Sequence, residues 1–509
     1  MPDPIKNMYF HSSADEPTTS RVPKLAERLA NRIEREVMQT GMPIGTSLGF
    51  EPELIQKYDV SRGILRESIS ILERGGLVQM LRGRYGGLTV AATPEDAAVN
   101  SLQNYFSFVD YRSTTKIDQI LLLRKLLEPI ALRAAARLAD DVDVAELRAL
   151  ENEVRNGKGS NVQNARSILR RLFRTCRNPA LIIFIRVLNQ LSVVIGLYQN
   201  IPRDELEEYS RQILDLRLPQ IEALIAGDLQ TLTELQFRQI ELLRALHQRH
   251  RSADPASPPA TLAAMRSIVD RLYEFTGIDR APKQSDVVAQ FLLYEMWRNG
   301  WPEGHNLGFE PELLRWIGTS KAPFREALRV LERMGLLKMA TGRHGGLTVC
   351  APDPEATLVS ARMCLHALGV TPSHTHLLEQ SLALASIDEA MRVLPLHSAD
   401  DNLIAVLRAI LQNKNWAKNP ALHERQFRLA LADHSGNPII SLMTRLTIGL
   451  FAEDDQPAQK PQPKHAINPA WFETIVAAMA DGDVAMARRH MIYVQHALNT
   501  GSSGIPQHV

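Results

Sequence analysis

Residues 48–90 read LGFEPELIQKYDVSRGILRESISILERGGLVQMLRGRYGGLTV, and residues 307–349 read LGFEPELLRWIGTSKAPFREALRVLERMGLLKMATGRHGGLTV. The two stretches align without a gap at a constant offset of 259 positions (307 − 48 and 349 − 90), and about half of the aligned residues are identical. Two copies of this length are too few for a solenoid, which stacks many short units. The pattern predicts a duplication of one complete module.

Each copy has the pattern of three helices followed by a hairpin. In residues 24–38, small and apolar residues recur on one helical face, and GMPIG (41–45) ends that helix. A short helix over 51–58 has its acidic residues near its N-terminus, and Ser61 is suited to cap a third helix that runs to about residue 74. The string RGRYGGLTV then predicts two short strands joined by a glycine-rich turn. This order is typical of a winged helix.

The third helix carries a basic stripe on its outward face. Its inward face is predicted to hold Leu65, Ile69 and Leu72. The outward residues are Arg62, Arg66 and Ser70 in the first copy and Lys321, Arg325 and Arg329 in the second. A lone basic stripe is more often a solvated helix face. This stripe begins at a capped helix terminus, precedes a basic hairpin and occurs twice, which favours DNA binding with the helix in the major groove.

Composition narrows the class of protein. Hydrophobic residues make up 45% and charged residues 23% of the 509 positions, which is typical of globular domains. The net charge is only +1, so DNA contact must depend on local patches. Three scattered cysteines without CxxC spacing argue against a disulfide scaffold and a zinc finger. Without a signal peptide or a long apolar run, we expect a cytoplasmic protein that does not associate with membranes.

Motifs of catalysis and cofactor binding are missing from the sequence. It has no P-loop, GxGxxG, GxSxG or HExxH motif, and its glycine-rich strings lie between predicted strands instead of opening a helix. We therefore predict that the chain is not an enzyme and holds no cofactor. An arginine-rich patch over 166–177 is suited either to an anionic effector or, more commonly, to a solvated helix face.

The two copies resemble the GntR family of bacterial transcription factors. The matching motifs are LGFEPEL, VSRGILRES, LERGGL and GRYGGLTV in copy one, and LGFEPEL, TSKAPFREAL, LERMGL and GRHGGLTV in copy two. The resemblance implies that Arg62 and Arg66 contact operator bases and phosphates, with Lys321 and Arg325 in the matching positions, and that Arg84, Tyr85, Arg343 and His344 lie at the wing. The helix pattern adds Ser61, Ser70 and Arg329 to the predicted DNA-binding residues.

Two departures from the family pattern affect these residues. Proline (Pro52 and Pro311) stands where the family often has a basic residue between two glutamates, which implies that one phosphate contact is missing. Lys321 replaces an arginine, and lysine cannot make arginine's planar bidentate contact with guanine. Copy two is therefore expected to read DNA more loosely than copy one.

The region of about 150 residues after each copy has a helical pattern throughout and resembles the C-terminal domain of the FadR subgroup. The resemblance rests on Arg124-x-x-x-Glu128, Asn-Pro at 178–179 and 437–438, and Gly-Asp at 227–228 and 482–483. Thr375 stands where the second region should have the opening arginine. Many members of the subgroup hold a metal through one Asp and three His; those positions fall on Ala165, Leu169, Arg217 and Gln239, and on Glu424, Arg428, Phe472 and Val494. We therefore predict no metal, and we expect His490 and His496 to be surface residues.

These observations predict a mainly α protein with two winged helix-turn-helix domains, each followed by an all-helical bundle. The predicted boundaries are a tail over 1–20, winged helices over 21–93 and 282–352, helical effector or dimerisation domains over 94–250 and 353–500, a linker with a connecting helix over 251–281, and a tail over 501–509. The helix of the linker is predicted over 262–273.

The predicted function is sequence-specific regulation of transcription by a covalent pseudo-dimer. Its partners would be a double-stranded DNA operator with two unlike half-sites, a small-molecule effector and a second copy of the chain in a homodimer. Two alternatives stay open: an effector-independent regulator whose sensing domains have degenerated, and an enzyme or metabolite-binding protein that keeps the winged helix as a structural module.

Overall fold

The computed structural model describes most of the chain. The described residues are 25–39, 42–74, 76–81, 86–108, 116–198, 201–250, 261–276, 281–300, 303–340, 345–350, 354–393, 403–414, 416, 418–451 and 468–500. Several predictions lie outside them: both terminal tails, the linker stretch 251–260 and the four wing-tip residues Arg84, Tyr85, Arg343 and His344.

Residues 25–90 form the first structural unit, which we call segment A. Its elements are α1 (Leu25–Gln39), β1 (Ser47–Gly49), α2 (Glu51–Tyr58), α3 (Arg62–Arg74), β2 (Val78–Leu81) and β3 (Gly87–Val90). The predicted inward faces of α1 and α3 are buried, as Ile33, Leu65 and Ile69 show. The strands form an antiparallel sheet in the order β1-β3-β2, with Val78 opposite Val90. The winged-helix pattern is thus confirmed for segment A, and β1 is a strand that the sequence analysis missed.

Glycine is required where β1 pairs with β3. Gly87 has a φ of 112°, and a Cβ on it would lie 2.8 Å from the carbonyl oxygen of Gly49. Any larger residue at position 87 would push β1 away from the hairpin, because the obstacle is backbone and cannot rotate aside. This close approach explains why the hairpin begins its second strand with glycine.

The described residues of the first helical region (94–249) form seven helices. They are α4 (Pro94–Phe108), α5 (Lys116–Leu138), α6 (Asp141–Arg155), α7 (Asn161–Arg174), α8 (Pro179–Tyr198), α9 (Arg203–Ala226) and α10 (Leu229–Arg249). A further helix, α11 (Leu262–Thr276), follows and packs against α7 and α8. The connecting helix predicted over 262–273 is therefore present.

Segment B (residues 284–349) has nearly the same order of elements as segment A. It consists of α12 (Gln284–Asn299), α13 (Glu310–Ile317), α14 (Lys321–Arg333), β4 (Leu337–Ala340) and β5 (Gly346–Val349). The hairpin pairs Leu337 with Val349, and an isolated bridge from Asn306 to Thr348 stands in the place of β1. Phe324 fills the core of segment B at the position of Leu65, 259 residues earlier, and both are fully buried.

The second helical region (354–500), as far as the structure describes it, also consists of seven helices. They are α15 (Pro354–Ala367), α16 (Pro372–Val393), α17 (Leu403–Leu411), α18 (Pro420–Asp433), α19 (Pro438–Leu450), α20 (Ala470–Ala480) and α21 (Val484–Thr500). The predicted helical character of both regions is confirmed.

The Asn-Pro and Gly-Asp pairs mark helix boundaries in both helical regions. The Oδ1 of Asn178 accepts a hydrogen bond from the Leu181 amide at 3.1 Å, and the Oδ1 of Asn437 accepts one from the Ile439 amide at 3.0 Å. The proline that follows each asparagine occupies the first turn, where a missing amide proton costs nothing. Asp228 caps α10 in the same manner, by accepting from the Thr231 amide at 3.1 Å.

The two helical regions interlock through reciprocal contacts. Helix α4 packs along α15, and α5 packs against α16. The side-chain amide of Asn178, just before α8, donates to the carbonyl of His374 in α16 at 2.9 Å. The side-chain amide of Gln119 in α5 donates to the carbonyl of Gly436, just before α19, at 3.1 Å. Each region thus presents a pre-helix loop to the start of a long helix of the other. Helices α3 and α14 also touch.

A buried carboxyl lies at the contact between α1 and α15. Glu34 is 4% exposed, and the thiol of Cys364 in α15 donates a hydrogen bond to it. Burial raises the pKa of Glu34 to about 8, since desolvation disfavours the charged form and the thiol offsets only part of that effect. The contact between segment A and the second helical region therefore depends on a protonated carboxyl.

Replacing Glu34 with glutamine should reduce the pH dependence of stability. A carboxyl whose pKa is higher in the folded than in the unfolded chain stabilises fully below its unfolded value of 4.5, and that contribution is lost as the pH rises through about 8. We expect the urea concentration at the unfolding midpoint of the wild type to decrease as the pH is raised from about 5 to about 8. For Glu34→Gln we expect a smaller decrease. The exposed Glu153→Gln variant is the control. Parallel profiles for wild type and Glu34→Gln would contradict this account.

Candidate DNA-contact ridges and effector cavity

The basic stripe of α3 is exposed and held in place by one carboxylate. The side chains of Arg62 and Arg66 are 66% and 63% exposed. Both place their Nε on Glu51 Oε1 of α2, at 2.9 Å and 2.8 Å. The two guanidinium groups lower the pKa of Glu51, so this carboxylate stays charged. The Oγ of Ser61 accepts from the Ile64 amide at 3.4 Å, as expected of the predicted cap.

Helix α14 presents a comparable stripe. Arg325 makes two bonds to Glu310 of α13, from Nε at 2.9 Å and from Nη2 at 3.0 Å. Its guanidinium group lowers the pKa of Glu310. Lys321 and Arg329 are exposed on the same helix. We call Arg62 and Arg66 ridge A, and Lys321 and Arg325 ridge B.

The structure therefore brings the predicted helix residues together on one face in each segment. It does not describe the side chain of Ser70, nor the wing-tip residues. Their roles in DNA contact stay predictions.

A cavity of about 190 Å³ lies inside the first helical region. Apolar side chains such as Phe173, Ile201, Leu206 and Leu246 form most of its wall, together with Phe275 of α11. Its charged and titratable wall residues are Arg124, Arg166, Arg170, Arg186, Tyr209, Arg217 and His247, with Glu95 at one side. The site combines an apolar interior with several cations.

Arg217 is a buried cation whose described partners are neutral. It is 7% exposed, its Nη1 donates to the carbonyl of Ala165, and its Nε donates to Gln239 Oε1 at 3.3 Å. Burial lowers its pKa to about 10, so it remains protonated at neutral pH. Among the described residues, no carboxylate lies within ion-pair distance of it. A buried charge without a counter-ion is costly, which suits this site to an anion.

Three other polar groups of the cavity wall are neutral or paired with carboxylates. The Nε of Arg124 donates to Glu128 at 2.8 Å, and both side chains are buried. Burial lowers the pKa of His247 to about 4, so this imidazole is neutral at physiological pH. Arg186 pairs with Glu95, and with Asp96 at 2.7 Å, both in the first turn of α4. Arg217 differs from these three groups because it is charged and its described hydrogen-bond partners are neutral.

The arginine-rich patch over 166–177 divides into two sets. Arg166 and Arg170 line the cavity. The other three arginines bind carboxylates: Arg171 contacts Asp143 and Glu146, Arg174 contacts Glu95, and Arg177 contacts Asp140 and Asp143. Part of the patch is therefore structural, and part lines the cavity.

The positions at which the FadR subgroup holds a metal differ between the two helical regions. In the first region, Ala165, Leu169 and Arg217 line the cavity, and Gln239 bonds to Arg217. In the part of the chain that the structure describes, no group of three acidic, histidine or cysteine side chains is arranged to hold a metal ion. A guanidinium group stands where the family pattern would place a metal-binding histidine.

Side chains fill the corresponding positions of the second helical region. Glu424 and Arg428, at an offset of 259 from Ala165 and Leu169, form a buried ion pair at 2.5 Å. Arg428 also donates to Glu379 at 2.7 Å. Phe472 is fully buried and lies edge-on to Phe427, with ring centroids 4.9 Å apart. These positions were evident from the sequence, but their contacts were not.

Segment A and the first helical region together define a class of protein. A helix-turn-helix with an exposed basic ridge and a hairpin is followed by an all-helical domain that encloses a charged cavity, which is the architecture of a ligand-responsive DNA-binding protein. Among the described residues, no helix is long and apolar enough to cross a membrane.

Comparison with known families agrees with this class. Residues 25–85 match the family model of bacterial regulatory proteins of the gntR family, and residues 119–238 match that of the FCD domain. The matched segments are thus a gntR-type DNA-binding segment and an FCD domain, and both lie in the first half of the chain. The duplication predicted from residues 307–349 is not part of these matches.

Individual relatives are distant from this chain. A fatty acid metabolism regulator protein of Shewanella denitrificans is 27% identical over 165 residues, which cover 32% of this chain and 67% of that protein. The HTH-type transcriptional repressor NanR of Salmonella bongori is 26% identical over 160 residues, which cover 31% and 60%. This chain thus spans about two thirds or less of these relatives. A solved chain, Streptococcus agalactiae GntR, is 20% identical with a TM-score of 0.29, and the match covers 45% of this chain and all of that one.

Proposed function

We propose that this chain is a regulator of transcription that binds double-stranded DNA through segments A and B. The observation that carries the proposal is the exposed ridge on α3, where Arg62 and Arg66 lie one helical turn apart and both contact Glu51. Guanidinium groups suit this role because they bind phosphate and the guanine edge in a bidentate manner. The gntR-family match over residues 25–85 supports the same conclusion.

Glu51 and Glu310 would orient the arginines before DNA arrives. An unpaired arginine on a helix surface samples many rotamers, whereas a carboxylate at the start of the preceding helix restricts that freedom. Each arginine still has N–H groups that face solvent, because Arg66 and Arg325 are 63% and 57% exposed. The ridges are therefore partly organised and remain accessible to phosphates and bases.

We further propose that segments A and B act as two readers in a covalent pseudo-dimer. The reciprocal contacts from Asn178 to His374 and from Gln119 to Gly436 support this arrangement, because a two-fold interface uses the same surfaces twice. The ridges are not identical, since Lys321 stands where ridge A has Arg62. We expect an operator with two unlike half-sites. Association of whole chains into a homodimer remains a separate prediction.

The cavity of the first helical region is proposed as the site of a small anionic effector. The supporting observations are the buried Arg217, whose described partners are neutral, and the apolar wall around it. An engineered dry cavity of about 150 Å³ holds benzene. A volume of about 190 Å³ therefore suits an apolar body of similar size that carries one acidic group. The FCD match over residues 119–238 supports an effector role for this domain.

Selection of binding sites from a random DNA pool tests the proposed function. The full chain should enrich a defined sequence with two half-sites, and its affinity should fall steeply as the salt concentration rises, because bound phosphates release counter-ions. Two identical half-sites occupied by two chains would contradict the pseudo-dimer. Absence of any salt-dependent DNA binding would contradict the regulator itself.

A further inference from the structure

The cavity of the first helical region touches the connections to both proposed readers. Glu95, in the first turn of α4, lies just after the last strand of segment A and lines the cavity. Phe275, in the last turn of α11, lies just before segment B and also lines the cavity. These two residues are 180 positions apart in the sequence (275 − 95), and only the tertiary structure brings them to one site.

The α4 side of the cavity depends on an arginine with two carboxylates. Arg186 of α8 lines the cavity and binds Glu95 and Asp96, with Asp96 at 2.7 Å. The next residues of α4, Ala97 and Ala98, are fully buried in the same hydrophobic core as Val90 of β3. A change in the Arg186 contacts therefore acts on a helix that follows β3 in the chain and shares its hydrophobic core with segment A.

Two arginines hydrogen-bond α11 to the cavity wall. Arg166, a cavity residue on α7, donates to the carbonyl of Glu274 at 2.7 Å. Arg271 of α11 donates to the carbonyl of Ile201, another cavity residue, at 3.0 Å. The last turns of α11 thus both accept a hydrogen bond from a cavity residue and donate one to another.

One hydrophobic core joins the cavity wall to segment B. Three cavity residues, Ile201, Leu206 and Leu246, belong to the same buried cluster as Met265 and Val269 of α11. That cluster continues into α12, α13 and α14, including Val288, Leu313 and Phe324. Close-packed cores have low compressibility and transmit strain. A shift of the cavity wall therefore displaces side chains in segment B.

We propose that this one cavity controls both readers, through α4 for segment A and through α11 for segment B. The proposal rests on the proposed function, and it adds that a ligand bound in the first half of the chain regulates the reader of the second half. An anion at Arg217 and Arg186 would compete with Glu95, while its apolar body would press on Phe275. The corresponding positions of the second helical region are filled by the Glu424–Arg428 pair, so that region is assigned a structural role.

Filling the cavity with a side chain tests the proposal without a known ligand. Ala165→Leu and Val162→Phe each add apolar volume from α7 into the cavity, and two variants guard against the misfolding of one. Hydrogen exchange should change by about threefold or more both in residues 94–100 and in residues 265–276, in either direction, because filling can tighten or wedge a wall. The exposed Ala149→Leu on α6 is the matched control and should change neither segment.

Exchange that stays at the wild-type rate in either segment, in a variant that folds, overturns the proposal. Such a result leaves the proposed function intact if salt-dependent DNA binding persists. If the wild type does not bind DNA, the proposed function is contradicted. The hydrogen-exchange rates of the cavity-filling variants would still decide whether the cavity is coupled to both segments.

A second experiment separates the two routes. Phe275→Ala shortens the side chain between the cavity and α11. In combination with Ala165→Leu, we expect it to abolish the change in hydrogen exchange at residues 265–276 and to preserve the change at residues 94–100.

A ligand experiment uses benzoate as the probe and benzamide as its neutral control. Benzoate, but not benzamide, should reproduce both responses in the wild type. A benzoate response confined to one segment overturns the inference; failure of benzoate to bind counts only against the anionic effector, since the filling variants still decide the coupling.

Discussion

Replacing Arg66 and Arg325 together with alanine should weaken binding to the selected operator by about 1–3 kcal/mol for each base that these arginines bind. The two residues occupy matching positions in ridges A and B, and each is bonded to a carboxylate at the start of the preceding helix. Alanine removes the positive charge, and it leaves Glu310 without its arginine and Glu51 with Arg62 alone, so these carboxylates repel phosphate more strongly. Both effects lower affinity.

The measurement is fluorescence anisotropy of labelled operator DNA over a series of salt concentrations. If either arginine binds phosphate, the dependence of affinity on salt should become less steep by about one unit for each phosphate that is no longer bound. The matched control is the double variant Arg203→Ala, Arg211→Ala, which removes the same two charges from exposed positions on α9. Equal affinity and equal salt dependence of the wild type and the ridge variant would refute DNA binding by these ridges.

Replacing Arg428 with alanine should destabilise the second helical region by about 3–5 kcal/mol. Its guanidinium group is buried and joins Glu424, within 2.5 Å, and Glu379, at 2.7 Å. Removing it leaves the Glu424 carboxylate buried without its counter-ion. The exposed Arg211→Ala, which breaks surface ion pairs on α9, should cost less than about 1 kcal/mol.

The destabilisation should also depend on pH in a defined direction. Burial already raises the pKa of Glu424, and Arg428 opposes that effect. Without Arg428 the folded-state pKa rises further above its unfolded value. A carboxyl of this kind stabilises at low pH and loses that contribution as the pH rises. The variant should therefore be closest to the wild type near about pH 5 and furthest from it above about pH 7.

Urea unfolding followed by circular dichroism at both pH values measures these differences. The double variant Glu424→Ala, Arg428→Leu places the residues of the first helical region at these positions, because Ala165 and Leu169 lie 259 residues earlier. It should be more stable than Arg428→Ala, because removing both charges leaves no buried carboxylate without a counter-ion. A single variant as stable as the wild type would contradict the assignment of this ion pair to a structural role.

The helices of segment A and the position of ridge A were predictable from the sequence, because helix faces depend only on the spacing of residues along the chain. The apolar positions of α1 and α3 recur at helical intervals, so their burial followed from the sequence, as Ile33 and Leu65 show. The outward position of Arg62 and Arg66 followed from the same periodicity. The residues GMPIGTSLG carry no comparable signal for β1, because a three-residue strand has too few positions to show an alternating pattern.

The cavity and its charge balance were beyond local patterns. Arg217 was recognised only as the residue at a family metal position, and its contact with Ala165 depends on how α9 packs against α7. Glu34 shows the same limit. Its position on α1 predicted nothing unusual, and its burial and its hydrogen bond with Cys364, 330 residues later (364 − 34), arise only from tertiary packing.

By itself the sequence determined the helix faces, the paired basic ridges and the resemblance between residues 48–90 and 307–349, because each of these depends on residues a few positions apart or on direct comparison of two stretches. Tertiary structure alone decided which buried charges have partners and which elements share a wall. Glu95 and Phe275 meet at one cavity because helices from distant parts of the chain pack there, and neither spacing nor composition encodes that packing in a readable form.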